Sequence, residues 1–267
     1  MLTSSARPLG TRRAGMLRPL RTAYEYLVLY YGLGLLGLIC LCWTAIAVVL
    51  YPLLPRRWGE SLGRRVIMAA FRVYLAALSI TRACRFDLSA LDALRSQGPM
   101  IIAPNHPSLL DAVMVLSRLP DVVCVIKAAL IENIFLGAGA RLARYIRNDS
   151  LVRLVGKAAQ SLRGGSQLLI FPEGTRTTRF PVNAFKGATA GIAKRAGVPV
   201  QTVFIETESP YLRKGWPLFR KPPMPMRYRV RLGRRFDPPA DAQTFQAELE
   251  RYFEQELARG PQPPLAT

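Results

Sequence analysis

The chain has 267 residues, half of them hydrophobic and a fifth charged, and carries a formal net charge of +20. That length holds one sizeable α/β domain with an anchoring segment and is short for two full domains, and the composition excludes a disordered chain. The charge demands an anionic partner without saying whether it is a membrane surface, an acidic protein or nucleic acid.

Residues 1–25 are basic, with Arg7, Arg12, Arg13, Arg18 and Arg21 against one acid, Glu25. A charge-free run follows from Tyr26 to Pro55. It exceeds the roughly 20 apolar residues that span a bilayer and the roughly 7–15 of a cleaved signal-peptide core, so a retained anchor is expected. Arginine flanks both ends, Arg18 and Arg21 before and Arg56 and Arg57 after, so the positive-inside rule does not orient it. A crossing helix and a helix that turns back, bending at Gly32, Gly34 and Gly37 or at Pro52 and Pro55, both fit. The Gly32, Gly34, Gly37 spacing also matches a dinucleotide fingerprint, but it lies inside the apolar run with no preceding strand. Residues 61–82 are a second apolar stretch interrupted by Arg64, Arg65 and Arg72. They read as an amphipathic helix, either laid on anionic headgroups or packed on the domain.

From Pro99 short apolar runs alternate with helical patterns. Strands are expected at 100–104, 121–126, 167–171, 199–205 and 227–232, and helices at 109–118, 150–163, 186–196 and 241–258. This alternation predicts an α/β domain with a mixed, largely parallel central sheet flanked by helices. The expected divisions are a basic segment 1–25, a membrane-anchoring helical region 26–82, the α/β domain 83–259 and a frayed tail 260–267. The cysteines, Cys40, Cys42, Cys84 and Cys124, match no zinc spacing and read as small buried hydrophobes.

Residues 105–111 read Asn-His-Pro-Ser-Leu-Leu-Asp, directly after the apolar strand 100–104. Open α/β sheets place their sites past such strand ends. His106 is the only histidine in the chain. An imidazole takes a proton from a hydroxyl near neutral pH, and a carboxylate on its other nitrogen, here from Asp111, fixes the tautomer and stabilises the imidazolium. A lone histidine is more often an ordinary packed residue; the strand-end position and the nearby acid argue for chemistry. With no second imidazole, a histidine-based metal site is not expected.

Residues 171–176 read Phe-Pro-Glu-Gly-Thr-Arg, again at a strand end. Pro172 and Gly174 set a turn that presents Glu173, Thr175 and Arg176. Arg176 can grip a phosphate, and Glu173 can orient Arg176 or accept from a substrate hydroxyl. Taken alone, the tract also reads as a surface turn with a solvated ion pair. Lys186 opens the next helix, where it would reinforce anion binding. From Ser209 to Phe236 there are nine Lys or Arg and no acid, with Tyr211, Trp216, Phe219 and Tyr228 interleaved. A membrane-surface patch is the favoured reading, with nucleic-acid binding disfavoured.

The two tracts, in this order and about sixty residues apart, resemble the N-H-x-x-x-x-D and F-P-E-G-T-R blocks of the glycerolipid acyltransferase superfamily, lysophosphatidate acyltransferase type. The resemblance covers roughly 85–210. It implies acyl transfer from acyl-CoA or acyl carrier protein to the hydroxyl of a lysolipid acceptor, most directly 1-acylglycerol-3-phosphate. It also implies a domain held on the membrane, expected to be a bacterial inner membrane with the domain on the cytoplasmic side. No cofactor or nucleic acid is implied beyond the acyl donor, and the basic stretch suits an anionic membrane surface or an acidic carrier protein. On this pattern His106 and Asp111 are catalytic, and Asn105, Ser108, Lys127, Arg147, Glu173, Gly174, Thr175, Arg176 and Lys186 bind substrate. Two departures bear on the acceptor. The family's Ile-Asp-Arg block, aligned from Gly137, puts Ser150 where the arginine stands, with Arg144, Arg147 and Arg153 out of register. The fourth block keeps Pro199 and has Thr202 near its second proline.

Overall fold

The structure, a computed structural model, describes residues 10–134 and 137–260. The first nine residues of the basic segment, and the expected tail apart from Gly260, lie outside the described residues. Apolar runs that pack on both faces form a single sheet of seven strands. These are β1 (Cys84–Asp87), β2 (Ile101–Pro104), β3 (Val122–Ile126), β4 (Ile146–Arg147), β5 (Gln167–Leu169), β6 (Val200–Glu206) and β7 (Met226–Phe236). Their order is β1-β7-β6-β2-β5-β3-β4. The five strands from β6 to β4 are parallel. β7 runs antiparallel to β6, and β1 parallel to β7, so that wing is reversed. The sheet is mixed and mostly parallel, as the alternation predicts.

The expected strand 227–232 stops short of Gly233. In the structure β7 continues through it to Phe236. A Cβ at Gly233 would stand 2.4 Å from the Phe204 ring and 2.5 Å from Thr202 Oγ1, so the glycine permits a close crossing over β6. β1 and β4 were not expected; at four and two residues they have no period of their own to read.

Helices cover both faces. On one, α6 (Leu151–Arg163), α7 (Ala188–Ala196) and α8 (Ala242–Ala258) close a core with Leu154, Leu162, Ile192, Leu249 and Phe253. Asp241 caps α8, accepting from the Thr244 N–H at 2.7 Å. The other face carries α1 (Gly10–Leu53), α2 (Arg56–Ile80) and α3 (Leu110–Leu116). Val28 and Leu29 of α1, Leu75 and Leu78 of α2 and Met114 of α3 share one core with the sheet residues Ile102, Cys124 and Val203. Cys84 and Cys124 are indeed buried, Cys40 half-buried and Cys42 exposed.

The helix α1 is unbroken through Gly32, Gly34 and Gly37, and the chain reverses at Leu54 and Pro55 instead. One stripe, including Val28, Leu29, Gly32 and Ala47, is buried, while Leu27, Tyr30, Leu38, Leu41, Ile46, Val49 and Leu53 are exposed. From Arg18 to Leu53 the helix is long and apolar enough to cross a membrane. It is fastened at both ends: Glu25 pairs with Lys221 and Arg21, and Trp43, Ala47 and Leu50 pack on Ala138 and Leu142 of α5 (Gly137–Leu142). Of the two options for the amphipathic stretch, α2 takes packing on the domain. Arg64 is buried, pairing with Asp121 and donating to Ser166 Oγ at 2.8 Å and to the Ala143 carbonyl at 3.2 Å.

Candidate active site

β2 lies between β5 and β6, and its C-terminal end carries the 105–111 loop. Asn105 fixes where that loop leaves the sheet. Its side chain accepts from the Ile205 N–H at 2.7 Å and donates to the Ile205 carbonyl at 3.0 Å, extending the ladder to β6 by one step. Ser108, fully buried, donates from Oγ to the Tyr211 carbonyl at 3.1 Å and accepts from the Leu110 N–H at 3.3 Å, which brings the chain into α3. Both side chains, expected to touch substrate, hold the loop through these bonds.

In the first turn of α3, Asp111 points back. Its Oδ2 lies 2.8 Å from His106 Nδ1 and also accepts from the Ser108 N–H at 2.7 Å. An ionised carboxylate only accepts, so Nδ1 carries the proton and Nε2 has the free lone pair. Asp111 is completely buried, and Oδ1 has no donor among the described residues. Burial pushes its carboxyl up to about 6, with the His106 hydrogen bond and the Ser108 amide pulling the other way. The imidazole side chain keeps 15 % exposure. Phe171 stacks on it with ring centroids 3.8 Å apart.

The 171–176 turn leaves β5, whose Leu168 and Leu169 pair with Ile101 and Ile102 of β2. The two tracts are therefore neighbours on adjacent strands. Glu173 joins them: Oε1 accepts from the His106 backbone N–H at 2.9 Å and from Thr177 Oγ1 at 2.7 Å, and Oε2 from the Asn183 N–H at 2.9 Å. The Thr177 N–H returns a bond to the His106 carbonyl at 2.7 Å. Glu173 is buried and does not pair with Arg176. Arg176 donates to the Leu212 and Arg213 carbonyls at 2.8 and 3.2 Å. Gly174 has φ +66°, and a Cβ there would stand 2.7 Å from Lys186 Cδ, so the turn needs glycine on both counts. Lys186 was expected to open a helix, but α7 starts at Ala188; the Lys186 N–H donates to the Pro172 carbonyl at 2.8 Å, tying it to the turn. Thr175 sits half-buried on that turn.

Two expected residues lie farther off. Lys127, exposed, follows β3, two strands from β2. Arg147 ends β4, three strands away, and pairs with Glu132 at 2.7 Å and Asp149 at 3.3 Å. Ser150 stands just before α6 as its N-cap. Phe171, Thr177 and Asn183 were not singled out. Phe171 had a signal, as an aromatic at the end of the neighbouring strand; Thr177 and Asn183 had none. Among the described residues no group of three or more His, Cys, Asp or Glu side chains is placed to hold a metal ion.

Residues 85–206 match the family model described as Acyltransferase. The chain is similar to the 1-acyl-sn-glycerol-3-phosphate acyltransferase of Pseudomonas aeruginosa, 24 % identical over 195 residues, 71 % of this chain and 74 % of that one. It is 26 % identical over 180 residues to the human 1-acyl-sn-glycerol-3-phosphate acyltransferase beta, covering 64 % of this chain and 63 % of the relative. Its fold is similar to the crystal structure of the 1-acyl-sn-glycerophosphate acyltransferase PlsC from Thermotoga maritima, with a TM-score of 0.68 at 19 % identity, covering 92 % of this chain and 99 % of that one.

Proposed function

We propose that the chain is an acyltransferase of the kind whose family model residues 85–206 match, and that it moves a fatty acyl group from acyl-CoA or acyl carrier protein to the free hydroxyl of a lysophospholipid, with 1-acylglycerol-3-phosphate as acceptor. The observation that carries the reading is the 2.8 Å bond between His106 Nδ1 and buried Asp111, which leaves Nε2 as a base. His106 Nε2 takes the proton of the acceptor hydroxyl as that oxygen attacks the thioester carbonyl. Asp111 stabilises the imidazolium through Nδ1. When the tetrahedral intermediate collapses, the ester forms, the C–S bond breaks, and the imidazolium returns its proton to the leaving thiolate. Phe171 shields one face of the imidazole, and Glu173 fixes the backbone that bears it.

The apolar outward face of α1 supports membrane attachment. At ~1.5 Å per residue its charge-free part, Tyr26–Leu53, is about 42 Å long, beyond a bilayer core of ~30 Å. With both ends fastened to the domain, a helix lying along the membrane surface accounts for these features better than one crossing it. A second acceptor reading has one observation in its favour. Arg147 is paired with Glu132 and Asp149, away from His106, so the acceptor phosphate has no arginine from that region. A lysolipid with a different headgroup fits this better.

Membranes containing the full chain, supplied with labelled acyl-CoA or acyl carrier protein donors and a panel of lysolipids, test both readings. Transfer to 1-acylglycerol-3-phosphate that disappears in His106→Ala is the expected result. Transfer that survives the substitution rejects the catalytic assignment, and a strong preference for another lysolipid selects the second acceptor.

A further inference from the structure

Beside the 105–111 loop, on the side of the reversed wing, is an open cleft of about 880 Å³. The ends of β1, β6 and β7, the 177–181 loop and the last turn of α8 line it, and Asn105 and Pro107, the chain neighbours of His106, form its wall. Its charges do not balance. Five arginines line it, Arg85, Arg179, Arg213, Arg227 and Arg229, against Asp87, Glu206 and Glu208. Asp87 faces Arg229 at 3.8 Å, and Glu206 is held by Arg231 at 2.7 Å. Arg85, Arg179, Arg213 and Arg227 are exposed and have no carboxylate partner among the described residues. Glu208 is the one lining acid without an ion pair among the described residues, so free guanidinium groups outnumber free carboxylates four to one and the cleft attracts anions.

We propose that this cleft binds the 3′-phosphoadenosine diphosphate end of an acyl-CoA donor, an inference that rests on the acyl-transfer reading above. Charge is the first argument. A 3′-phosphomonoester with a diphosphate carries about four negative charges near neutral pH, enough for four guanidinium forks, whereas the phosphate of a lysolipid brings at most two. Shape is the second. The hollow is concave and of small-molecule size, which suits a nucleotide entering it rather than a folded carrier protein resting on it. Phe180 stands on its rim 85 % exposed, a face on which adenine can stack. Position is the third. Asn105 and Pro107, on either side of His106 in the chain, line the cleft, whereas Phe171 packs against the core that α1 shares, so a thioester arm reaches His106 from the open cleft.

The test uses the full chain in detergent micelles and the double variant Arg85→Ser, Arg227→Ser, both positions being exposed and outside the reacting group. Donors are a long-chain acyl-CoA, its 3′-dephospho form and the matching acyl-pantetheine, which has no phosphates. The variant is expected to raise KM for acyl-CoA about tenfold or more, to raise it less for the dephospho form, and to leave acyl-pantetheine and the lysolipid KM unchanged. Calorimetry with adenosine 3′,5′-bisphosphate should show binding to the unaltered protein and weaker binding to the variant. Equal losses with all three donors, a rise in the lysolipid KM alone, or no bisphosphate binding would each overturn the proposal. If the unaltered protein transfers acyl groups to no lysolipid, the acyl-transfer reading falls, and bisphosphate binding still decides the cleft.

Discussion

The His106 loop and the cleft beside it are neighbours that treat polar groups in opposite ways. In the loop Asn105, Ser108, Asp111 and Glu173 are buried and bonded to named partners at 2.7–3.3 Å. In the cleft Arg85, Arg179, Arg213 and Arg227 are exposed and make no ion pair among the described residues. The contrast separates two tasks. Groups that must hold still during a reaction are locked before any ligand arrives, because misplacing an oriented base costs rate steeply. Groups that recognise charge stay unpaired, because an internal partner would compete with the ligand.

If that division is right, the loop should dominate turnover. His106→Ala and Asp111→Asn are expected to lower kcat by about 100- to 10,000-fold, with circular dichroism unchanged. A loss below tenfold in either would mean that the pair is not the base. Next in size is Glu173→Ala, which strips three donors of a buried acceptor. It is expected to cost about 3 kcal/mol of stability and to lower kcat as well, read by denaturant unfolding and turnover together. Glu173→Gln, which keeps acceptor capacity on one oxygen, should fall between this variant and the unaltered protein.

Titration sharpens the comparison. The Asp111 carboxyl is raised from 3.8 to about 6 in the folded protein. Between about pH 6 and 4 the folded state therefore takes up a proton that the unfolded chain does not hold. Stability from this group rises as pH falls through that window, by about 3 kcal/mol in all. Activity should move the other way, since a neutral carboxyl no longer supports the imidazolium. Unfolding and rate profiles that fall together below pH 6 would contradict this, and Asp111→Asn should abolish the stability slope. The smallest effect is expected at Arg147→Ala, which breaks an exposed ion-pair cluster with Glu132 and Asp149 and should change kcat/KM by less than about twofold. A larger loss would bring that edge of the sheet into the acceptor site.

The legible and illegible parts of the sequence divide along range. His106 and Asp111 are five residues apart, so strand, loop and helix entry were readable in one segment. Glu173 was found but its bond was not, since its partner amide is 67 residues away and is a backbone group with no side-chain signature. For the same reason the bracing bonds of Asn105 and Ser108 could not be read: their partners at Ile205 and Tyr211 are main-chain atoms on distant segments. The basic run 209–236 read as one patch. In the structure β7 splits it, burying Arg231 between Glu206 and Glu256 and sending Arg227 to the cleft. Which way each arginine turns depends on the pairing of β7 with β1 and β6, and β1 is too short to be seen alone.

The α1 helix has a consequence for how this protein can be handled. Val28 and Leu29 belong to the same core as the sheet, and Lys221 and the Met224 carbonyl are bonded to Glu25 and Arg21. The segment 212–225 thus bridges the helix to Arg176 on the 171–176 turn. An anchor of this kind is not a detachable module. Cutting it away to make a soluble fragment would open the core and release the strut that holds the 171–176 turn, so solubility gained by truncation would come with loss of the native geometry around His106.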